Sequence, residues 1–535
     1  MTAENPIRPV RLIWEMISRR AVLHPEREAL VDDSRRITWG ELEERIRRLA
    51  VVLRKAGVGP GDCVAQISPP CAAFPIAWLA ASRIGAFWSG FSPRYTADEL
   101  RGMLEECAPT ALIADISEPH GLDPNTYRTI RDVSDNLTLC LTLGAGPEWS
   151  DPDFWETIER ESDPFDNEES GAEPAEENAP VLLLYTSGST GRPLGVLHSH
   201  RSVLASATGE ADLFGLGADA RFLLHFPINH VAATVEIGYS TLHAGGTLII
   251  RPKFSPADLL DIIPAENVTV LGQIPAMYTM LFADPAFDPE RLRGIRKYIY
   301  GGGIMSPELL EKLGALASRF NAELITGYGL SEFAGFVTAS RPGDIHEPGF
   351  AGRPFPDCEL CIVDESGQSL PEGLPGEIWL RGPSRMLGYL NQPGITRERI
   401  DAEGWFHTGD VGILRHGVLE IRGRRTEMFK TGGENVFPSE IEQVLEAHPA
   451  VLAAAVTAVP DPVFGEVPHA FVVPVPGCGL VEDALRAHCA VRLAPFKVPR
   501  RFYFEERLPL LSSGKVDRAS LRNRIAHRPS GASAS

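Results

Sequence analysis

The sequence LLLYTSGSTGRPLGVLHSH, from Leu182 to His200, is an apolar run, six residues that are only Thr, Ser or Gly, an Arg-Pro pair and a second apolar run. Glycines let consecutive backbone amides turn outward, and the hydroxyls of Thr186, Ser187, Ser189 and Thr190 add donors. Such a loop directly after a strand can hold phosphate oxygens. It is not a Walker loop, which ends in Gly-Lys-Ser/Thr and opens a helix. A Ser/Gly surface hairpin is the alternative interpretation.

The segments before and after this loop alternate between short apolar runs and helical patterns. Residues 38–58 place apolar side chains at helical spacing, behind a Thr cap. Residues 62–92 are predicted to form a strand, a helix and a second strand, and the same pattern recurs near Ala111 and through 221–250. The sequence therefore predicts an α/β fold with mostly parallel sheets.

A change in pattern predicts two domains. From about residue 375 the strands become short and turn-rich, and a final α+β stretch follows. We expect a large N-terminal domain of several subdomains, residues 1–424, and a small mobile α+β C-terminal domain, residues 425–535.

Composition limits the partners and the location. The 535 residues carry a net charge of −20, which argues against nucleic acid or an anionic membrane surface as a main partner. The sequence has no signal-peptide pattern and no apolar run long enough to span a membrane, so a cytoplasmic protein is expected. The acidic segment 151–178 is typical of a solvated loop. Cys358 and Cys361 have no second pair at ligand spacing, which favours a core strand over a metal or redox site.

Five further motifs follow the loop in chain order. They are YGGGIMSP (300–307), GYGLSEFAG (327–335), GWFHTGD (404–410), IRGRRTEMFKTGGENVFPSEIE (421–442) and LLSSGKVDRASLR (510–522). With the loop, this set resembles the adenylate-forming superfamily of acyl-CoA synthetases, which also contains luciferases and the adenylation domains of peptide synthetases. The resemblance extends from near residue 24 to the end of the chain.

The resemblance implies a two-step reaction. A small-molecule carboxylic acid attacks the α-phosphate of ATP to give acyl-AMP and pyrophosphate, and a thiol then displaces AMP. The implied cofactors are ATP, Mg²⁺ and coenzyme A. The implied nucleotide-binding residues are Thr186, Ser187, Gly188, Ser189, Thr190, Gly191, Gly301, Gly302, Gly303, Tyr328, Gly329, Ser331, Asp410 and Arg424.

Individual roles follow from the same resemblance. The catalytic residues are Lys515, Glu332 and His230, and Glu332 and Thr190 are the metal ligands. Tyr328 would stack on adenine and Asp410 would accept hydrogen bonds from the ribose hydroxyls. Ser331 would touch the α-phosphate, where the family usually has Thr.

The acid pocket is predicted from the segment FPINHVAATVEIG. It lacks the Asp with which peptide synthetases hold an amino group, so amino acids are not expected. The pocket residues are His230, Val231, Val235, Gly302 and Gly303, which favour a bulky hydrophobic acid. For His230, a hydrogen-bonded core histidine is the alternative.

The acceptor is predicted from the C-terminal segment. Gly432 and Gly433 resemble the loop that admits coenzyme A, and no fused carrier domain is expected after Lys515. A separate carrier protein is the second choice. The sequence does not predict an oligomeric state.

Two residues depart from the family pattern. Leu194 stands where a phosphate-loop lysine is usual, with Arg192 as a possible substitute, and Thr426 stands at the hinge position, where Asp or Lys is usual. An enzyme specialised for acyl-adenylate formation or for one half-reaction therefore stays open. A nucleotide-binding pseudoenzyme and a luciferase-like oxidase are further alternatives.

Overall fold

Two large sheets form the centre of the chain in the computed structural model, which describes residues 10–117, 119–131, 136–144, 150–162, 176–186, 193–475, 477–509 and 516–526. Their strands are short runs rich in Val, Ile, Leu and Phe, and the side chains of both large sheets pack into extensive apolar cores. This confirms the predicted α/β class.

The first sheet is parallel except at one edge. Its strands, in spatial order, are Glu323–Thr326, Lys297–Tyr300, Val270–Gln273, Arg221–Leu224, Thr247–Ile250, Glu28–Val31 and Arg36–Thr38. The last two are antiparallel to each other, and the other neighbours are parallel. The carboxyl ends of the parallel strands therefore lie along one edge, which positions the candidate site.

The second sheet combines parallel and antiparallel strands. In spatial order they are Gly388–Tyr389, Leu194–Ser199, Pro180–Thr186, Phe87–Phe91, Cys63–Ile67, Ala111–Asp115 and Leu139–Leu143. The first two join the sheet by antiparallel pairing, and the rest are parallel. The two apolar runs on either side of the Thr/Ser/Gly loop are thus antiparallel neighbours.

A smaller antiparallel sheet and two short strand pairs complete this part of the chain. The sheet contains Glu359–Val363, Gly376–Arg381, Phe406–Arg415 and Val418–Arg424. The short pairs are Gly329–Leu330 with Gly335–Phe336 and Thr338–Ala339 with Arg353–Pro354. Cys361 lies on the first strand of the sheet, and the buried Cys358 directly precedes that strand.

Helices cover and connect the sheets. The α-helices are Ile13–Leu23, Trp39–Lys55, Ala73–Arg83, Ala97–Cys107, Pro124–Ile130, Phe154–Arg160, His200–Leu213, Ser240–Ala244, Pro256–Ala265, Pro275–Ala283, Pro307–Arg319, Pro393–Arg399, Pro438–Glu446, Glu482–Arg492 and Arg518–Ala526, and Ala232–Tyr239 is a π-helix. The 3₁₀ turns are Pro289–Leu292, Ser331–Phe333 and Pro495–Lys497. Thr38 and Glu41 form a capping box at the predicted helix within 38–58. Within the described ranges, no helix has the length and apolar character needed to cross a membrane.

The C-terminal residues fold around a separate sheet. Its strands are Glu434–Val436, Phe429–Thr431, Gly465–Pro474, Val451–Asp461 and Arg501–Phe504. Their apolar side chains form a core that is distinct from those of the large sheets. The exposed Thr426 lies in the turn that connects this unit to Arg424. The boundary between 424 and 425 stays a prediction.

The acidic segment 151–178 differs in part from its prediction. Phe154–Arg160 is a helix, and the side chains of Phe154 and Ile158 are buried. The Asp153 carboxylate caps this helix by accepting hydrogen bonds from two backbone amides. The prediction of a solvated loop is wrong here because the excess of acids conceals two apolar side chains at helical spacing. Residues 163–175 lie outside the described ranges.

Gly352→Ala should destabilise the protein strongly. Gly352 has φ +77°, and a Cβ there would overlap the backbone of Ala339 and Ser340. Left-handed strain and the overlap together should lower the free energy of unfolding by about 3 kcal/mol or more. Thermal unfolding should show this as a lower midpoint. Gly373→Ala is the control, because Gly373 has φ +91° with nothing within 4 Å of its Cβ position. It should cost about 1 kcal/mol, and equal losses in the two variants would contradict the overlap.

Candidate active site

The carboxyl edge of the first sheet collects three groups of predicted residues. They are His230, the glycines 301–303 and the segment 327–332. They follow the strands Arg221–Leu224, Lys297–Tyr300 and Glu323–Thr326, respectively. The Phe336 ring covers Gly301 so closely that a Cβ there would lie 2.7 Å from its Cζ. Gly301 therefore has no room for a side chain, and it lies beside Gly327, which precedes Tyr328.

Asp410 connects the antiparallel sheet to this edge. Its side chain is buried, accepts a hydrogen bond from the Tyr328 hydroxyl at 2.5 Å and lies 3.1 Å from Nε of Arg424. Asp410 and Arg424 are direct neighbours across two antiparallel strands, which sets this ion pair. Burial, and then the Asp410 carboxylate, holds the pKa of Tyr328 well above its usual value, so its hydroxyl stays a donor.

Glu332 belongs to the same charged cluster. Its carboxylate accepts a hydrogen bond from the Tyr389 hydroxyl at 2.8 Å. The Asp410 charge first, and then Tyr328 and Glu332, raise the pKa of Arg424. Sequence analysis did not identify Tyr389, because it lies on a strand of the second sheet and no local spacing relates it to Glu332.

His198 is a second residue that sequence analysis did not identify. It lies on Leu194–Ser199, and its Nε2 is 2.6 Å from the carbonyl oxygen of Ser331. Because a carbonyl only accepts, Nε2 carries the proton, and Nδ1 faces the Ser202 hydroxyl at 3.2 Å. His198 therefore positions the backbone of Ser331 from the neighbouring sheet.

His198 should remain neutral well below the pH at which histidine usually titrates. Burial lowers its pKa from 6.5 to about 4, because the charged imidazolium is poorly solvated in the core. The unfolded chain therefore binds more protons than the folded chain between these values, and this residue's contribution to stability falls as the pH is lowered through that window. ¹⁵N NMR of histidine-labelled protein should show a neutral, Nε2-protonated ring at about pH 5, with His198→Gln assigning the signal. A titration midpoint near 6.5 would contradict this prediction.

Part of the predicted phosphate site lies outside the described ranges. These residues are Ser187, Gly188, Ser189, Thr190, Gly191, Arg192 and Lys515. Thr186 ends its strand, and its hydroxyl lies 3.4 Å from the carbonyl oxygen of Leu194. Leu194 opens the next strand and packs against the main core. Its side chain thus serves packing on the strand.

The predicted acid-pocket segment is mostly buried. Val231 and Val235 belong to the main core, while His230 and Glu236 are half-buried. Nδ1 of His230 accepts a hydrogen bond from the Ala232 amide at 3.1 Å, which fixes the ring beside the first turn of the π-helix Ala232–Tyr239. Such wide turns often occur at functional sites. The pocket role and the core role of His230 both remain predictions.

The predicted coenzyme A residues lie on the C-terminal sheet. Gly432 and Gly433 form the turn between Phe429–Thr431 and Glu434–Val436, with open space at the Cβ position of Gly433. Residues of this turn and Asp410 therefore belong to different sheets. Among the described residues, no group of three His, Cys, Asp or Glu side chains is arranged as metal ligands.

Comparisons with known proteins match nearly the whole chain. The AMP-binding enzyme family matches residues 17–390, and the AMP-binding enzyme C-terminal domain matches 440–515. A feruloyl-CoA synthase of Amycolatopsis is 33% identical over 95% of this chain and 98% of its own length. A Mycobacterium tuberculosis CoA ligase for a (methyl-dioxo-octahydroindenyl)propanoyl group is 34% identical over 97% of this chain and 99% of its own length. The crystal structure of ATP-bound MatB from Rhodopseudomonas palustris is also similar, with a TM-score of 0.84 and 27% sequence identity. The match covers 96% of this chain and 99% of the MatB chain.

Proposed function

Because the chain belongs to the AMP-binding enzyme family, we propose that it activates a bulky hydrophobic carboxylic acid with ATP and transfers the acyl group from acyl-AMP to coenzyme A. The observation that carries this proposal is the cluster of Tyr328, Asp410 and Arg424 beside Gly301. An aromatic ring next to a buried carboxylate suits a purine nucleoside, whose base stacks while its ribose hydroxyls donate to the carboxylate.

The remaining residues are assigned by their motifs and their charge. Ser331 approaches the α-phosphate, with its backbone fixed by His198. The motif assigns Lys515 to the substrate carboxylate and the α-phosphate, where its positive charge would offset the repulsion between two anions. The hydroxyl loop that begins at Thr186 holds the outer phosphates. The chain's contribution is thus alignment and charge compensation.

The described residues fit a magnesium ion held mainly by the nucleotide. Glu332 is a single half-buried carboxylate, oriented by Tyr389, and Mg²⁺ commonly binds one or two carboxylates together with substrate phosphates. Glu332 and Thr190 would hold the ion, which supplies positive charge to the phosphate oxygens.

The acid and the acceptor follow from the relatives and the predicted pocket. The names of two relatives specify acyl groups with rings, feruloyl and a substituted octahydroindenyl propanoyl group. A ring-bearing acid is consistent with a pocket beside Gly302, Gly303 and His230. Gly432 and Gly433 would admit the arm of coenzyme A, and a separate carrier protein is the alternative acceptor.

Leu194 and Thr426 support a second candidate, an enzyme efficient in one half-reaction only. Thr426 lies in the exposed turn between the two proposed domains, where rotation would require a large backbone change. A β-branched residue is stiffer than the usual hinge residues. Such an enzyme would accumulate acyl-AMP in the presence of coenzyme A.

A panel of hydrophobic acids tests both candidates. Each acid is incubated with ATP and Mg²⁺, with and without coenzyme A, and acyl-AMP and acyl-CoA are measured separately by mass. Fast thioester formation from at least one acid supports the complete ligase. Accumulated acyl-AMP alone supports the half-reaction enzyme, whose acceptor is then sought among carrier proteins. Bound ATP without any acyl product from a broad panel would support a pseudoenzyme and overturn the proposal.

A further inference from the structure

Arg399 is an arginine beside the candidate active site, and it belongs to none of the motifs quoted above. It ends the helix Pro393–Arg399 and is half-buried. Its Nη1 donates a hydrogen bond to the carbonyl oxygen of His407 at 3.2 Å. A Cβ on Gly409 would lie 3.4 Å from the same Nη1. The guanidinium therefore lies against the backbone that directly precedes Asp410.

The helix of Arg399 also contacts the strand that carries Tyr389. The Thr396 hydroxyl accepts a hydrogen bond from the Tyr389 amide at 2.9 Å. Thr396 and Arg399 are three residues apart, so they share one face of the helix. Burial first, and then Glu332, raises the pKa of Tyr389, while the charges of Arg399 and Arg424 oppose that rise. Arg399 thus lies within electrostatic reach of the hydroxyl that donates to Glu332.

Arg399 has no carboxylate partner among the described residues, unlike two other arginines at the strand of Asp410. Arg424 pairs with Asp410 at 3.1 Å, and Arg425 pairs with Glu377 at 3.1 Å. A guanidinium has five N–H donors, and within the described part of the chain Arg399 uses one of them, on a neutral carbonyl. A half-buried guanidinium with free donors favours an anion, above all a phosphate or carboxylate.

The phosphate chain of ATP is the anion that suits this position. In the proposed function Asp410 holds the ribose, and Glu332 holds the magnesium ion on the phosphates. The phosphates that join them must run between these two carboxylates, and Arg399 lies beside the backbone next to one and near the tyrosine that orients the other. The residues at the two ends of the hydroxyl loop, Thr186 and Leu194, carry no charge.

We propose that Arg399 is a further substrate-binding residue, which donates charged hydrogen bonds to the phosphate chain of ATP. The inference rests on the proposed function and adds a cation to its nucleotide site. Arg399 offsets part of the repulsion between the phosphates and the attacking carboxylate. It thereby supplies charge that Leu194 does not.

The test separates the phosphate chain from the nucleoside. Isothermal titration calorimetry measures the Kd of ATP with Mg²⁺ and the Kd of adenosine, and the ratio of the two gives the gain from the phosphates. Arg399→Gln should reduce this ratio by about 10- to 100-fold, the range of one charged hydrogen bond, by weakening the binding of ATP alone. Thermal unfolding without nucleotide checks that the variant is folded.

Arg397→Gln is the matched control. It removes the same charge from an exposed position on the same helix and should leave the ratio unchanged. An unchanged ratio in folded Arg399→Gln, equal weakening of ATP and adenosine, or an equal loss in Arg397→Gln would overturn this inference. ATP binding by the wild type without any acyl product from a broad panel of acids would overturn the proposed function alone and leave the binding role of Arg399 in place.

Discussion

Lys515→Ala should reduce the rate of acyl-AMP formation by about 10²- to 10³-fold, the usual effect of removing one preorganised charge donor. The lysine is assigned from the motif SSGK, and its ammonium would stabilise the negative charge that develops as the carboxylate attacks the α-phosphate. The second step does not form that charge. Transfer from synthetic acyl-AMP to coenzyme A should therefore be largely retained.

A surface lysine provides the control. Lys312 lies on the helix Pro307–Arg319, paired with Glu308 at 2.7 Å. Lys312→Ala should leave both steps unchanged. Rates measured by quenched flow, with acyl-AMP and acyl-CoA separated by mass, distinguish the steps. Near-normal acyl-AMP formation in Lys515→Ala would remove Lys515 from the mechanism. Equal loss in both steps, with an unchanged thermal midpoint, would place it in both.

Local sequence predicted which segments form strands and helices better than it predicted how the strands pair in the sheets. Short apolar runs and helical spacing identified the strands and helices because each pattern needs only a few consecutive residues. The antiparallel entry of Leu194–Ser199 into a parallel sheet was not predicted, because strand direction depends on a chain reversal and not on the run itself. The helix Phe154–Arg160 was not predicted, because the many acidic residues of segment 151–178 indicated a loop and only two apolar residues indicated a helix.

The site shows the same division. Motifs predicted Tyr328, Asp410 and Glu332 as site residues, and the structure brings the three side chains into one cluster. Their roles stay predictions. Sequence analysis did not identify their partners Tyr389 and His198. Both lie on the second large sheet and contact Glu332 and Ser331, which follow a strand of the first. No periodicity in the chain relates residues that come together in this way.

Asp410→Asn should produce a large defect that is specific to ATP. The side chain is buried and would accept both ribose hydroxyls, while Tyr328 and Arg424 hold its orientation. Asparagine preserves the shape but removes the charge and half of the acceptor capacity. With charged hydrogen bonds contributing about 1.5–3 kcal/mol each, kcat/KM for ATP should fall roughly 10²-fold or more. The KM for the acid should change much less.

Tyr328→Phe distinguishes binding by Asp410 from general disruption of the cluster. It keeps the ring that would stack on adenine and removes only the hydroxyl that orients Asp410, so a smaller loss of about 10-fold is expected. Because the hydroxyl acts through the carboxylate, the double variant should lose less than the product of the two single losses. Initial rates with ATP and acid varied separately measure both effects. An unchanged KM for ATP in Asp410→Asn would mean that the hydrogen bond between Tyr328 and Asp410 only stabilises the sheet. The nucleoside would then have to bind elsewhere along the carboxyl edge.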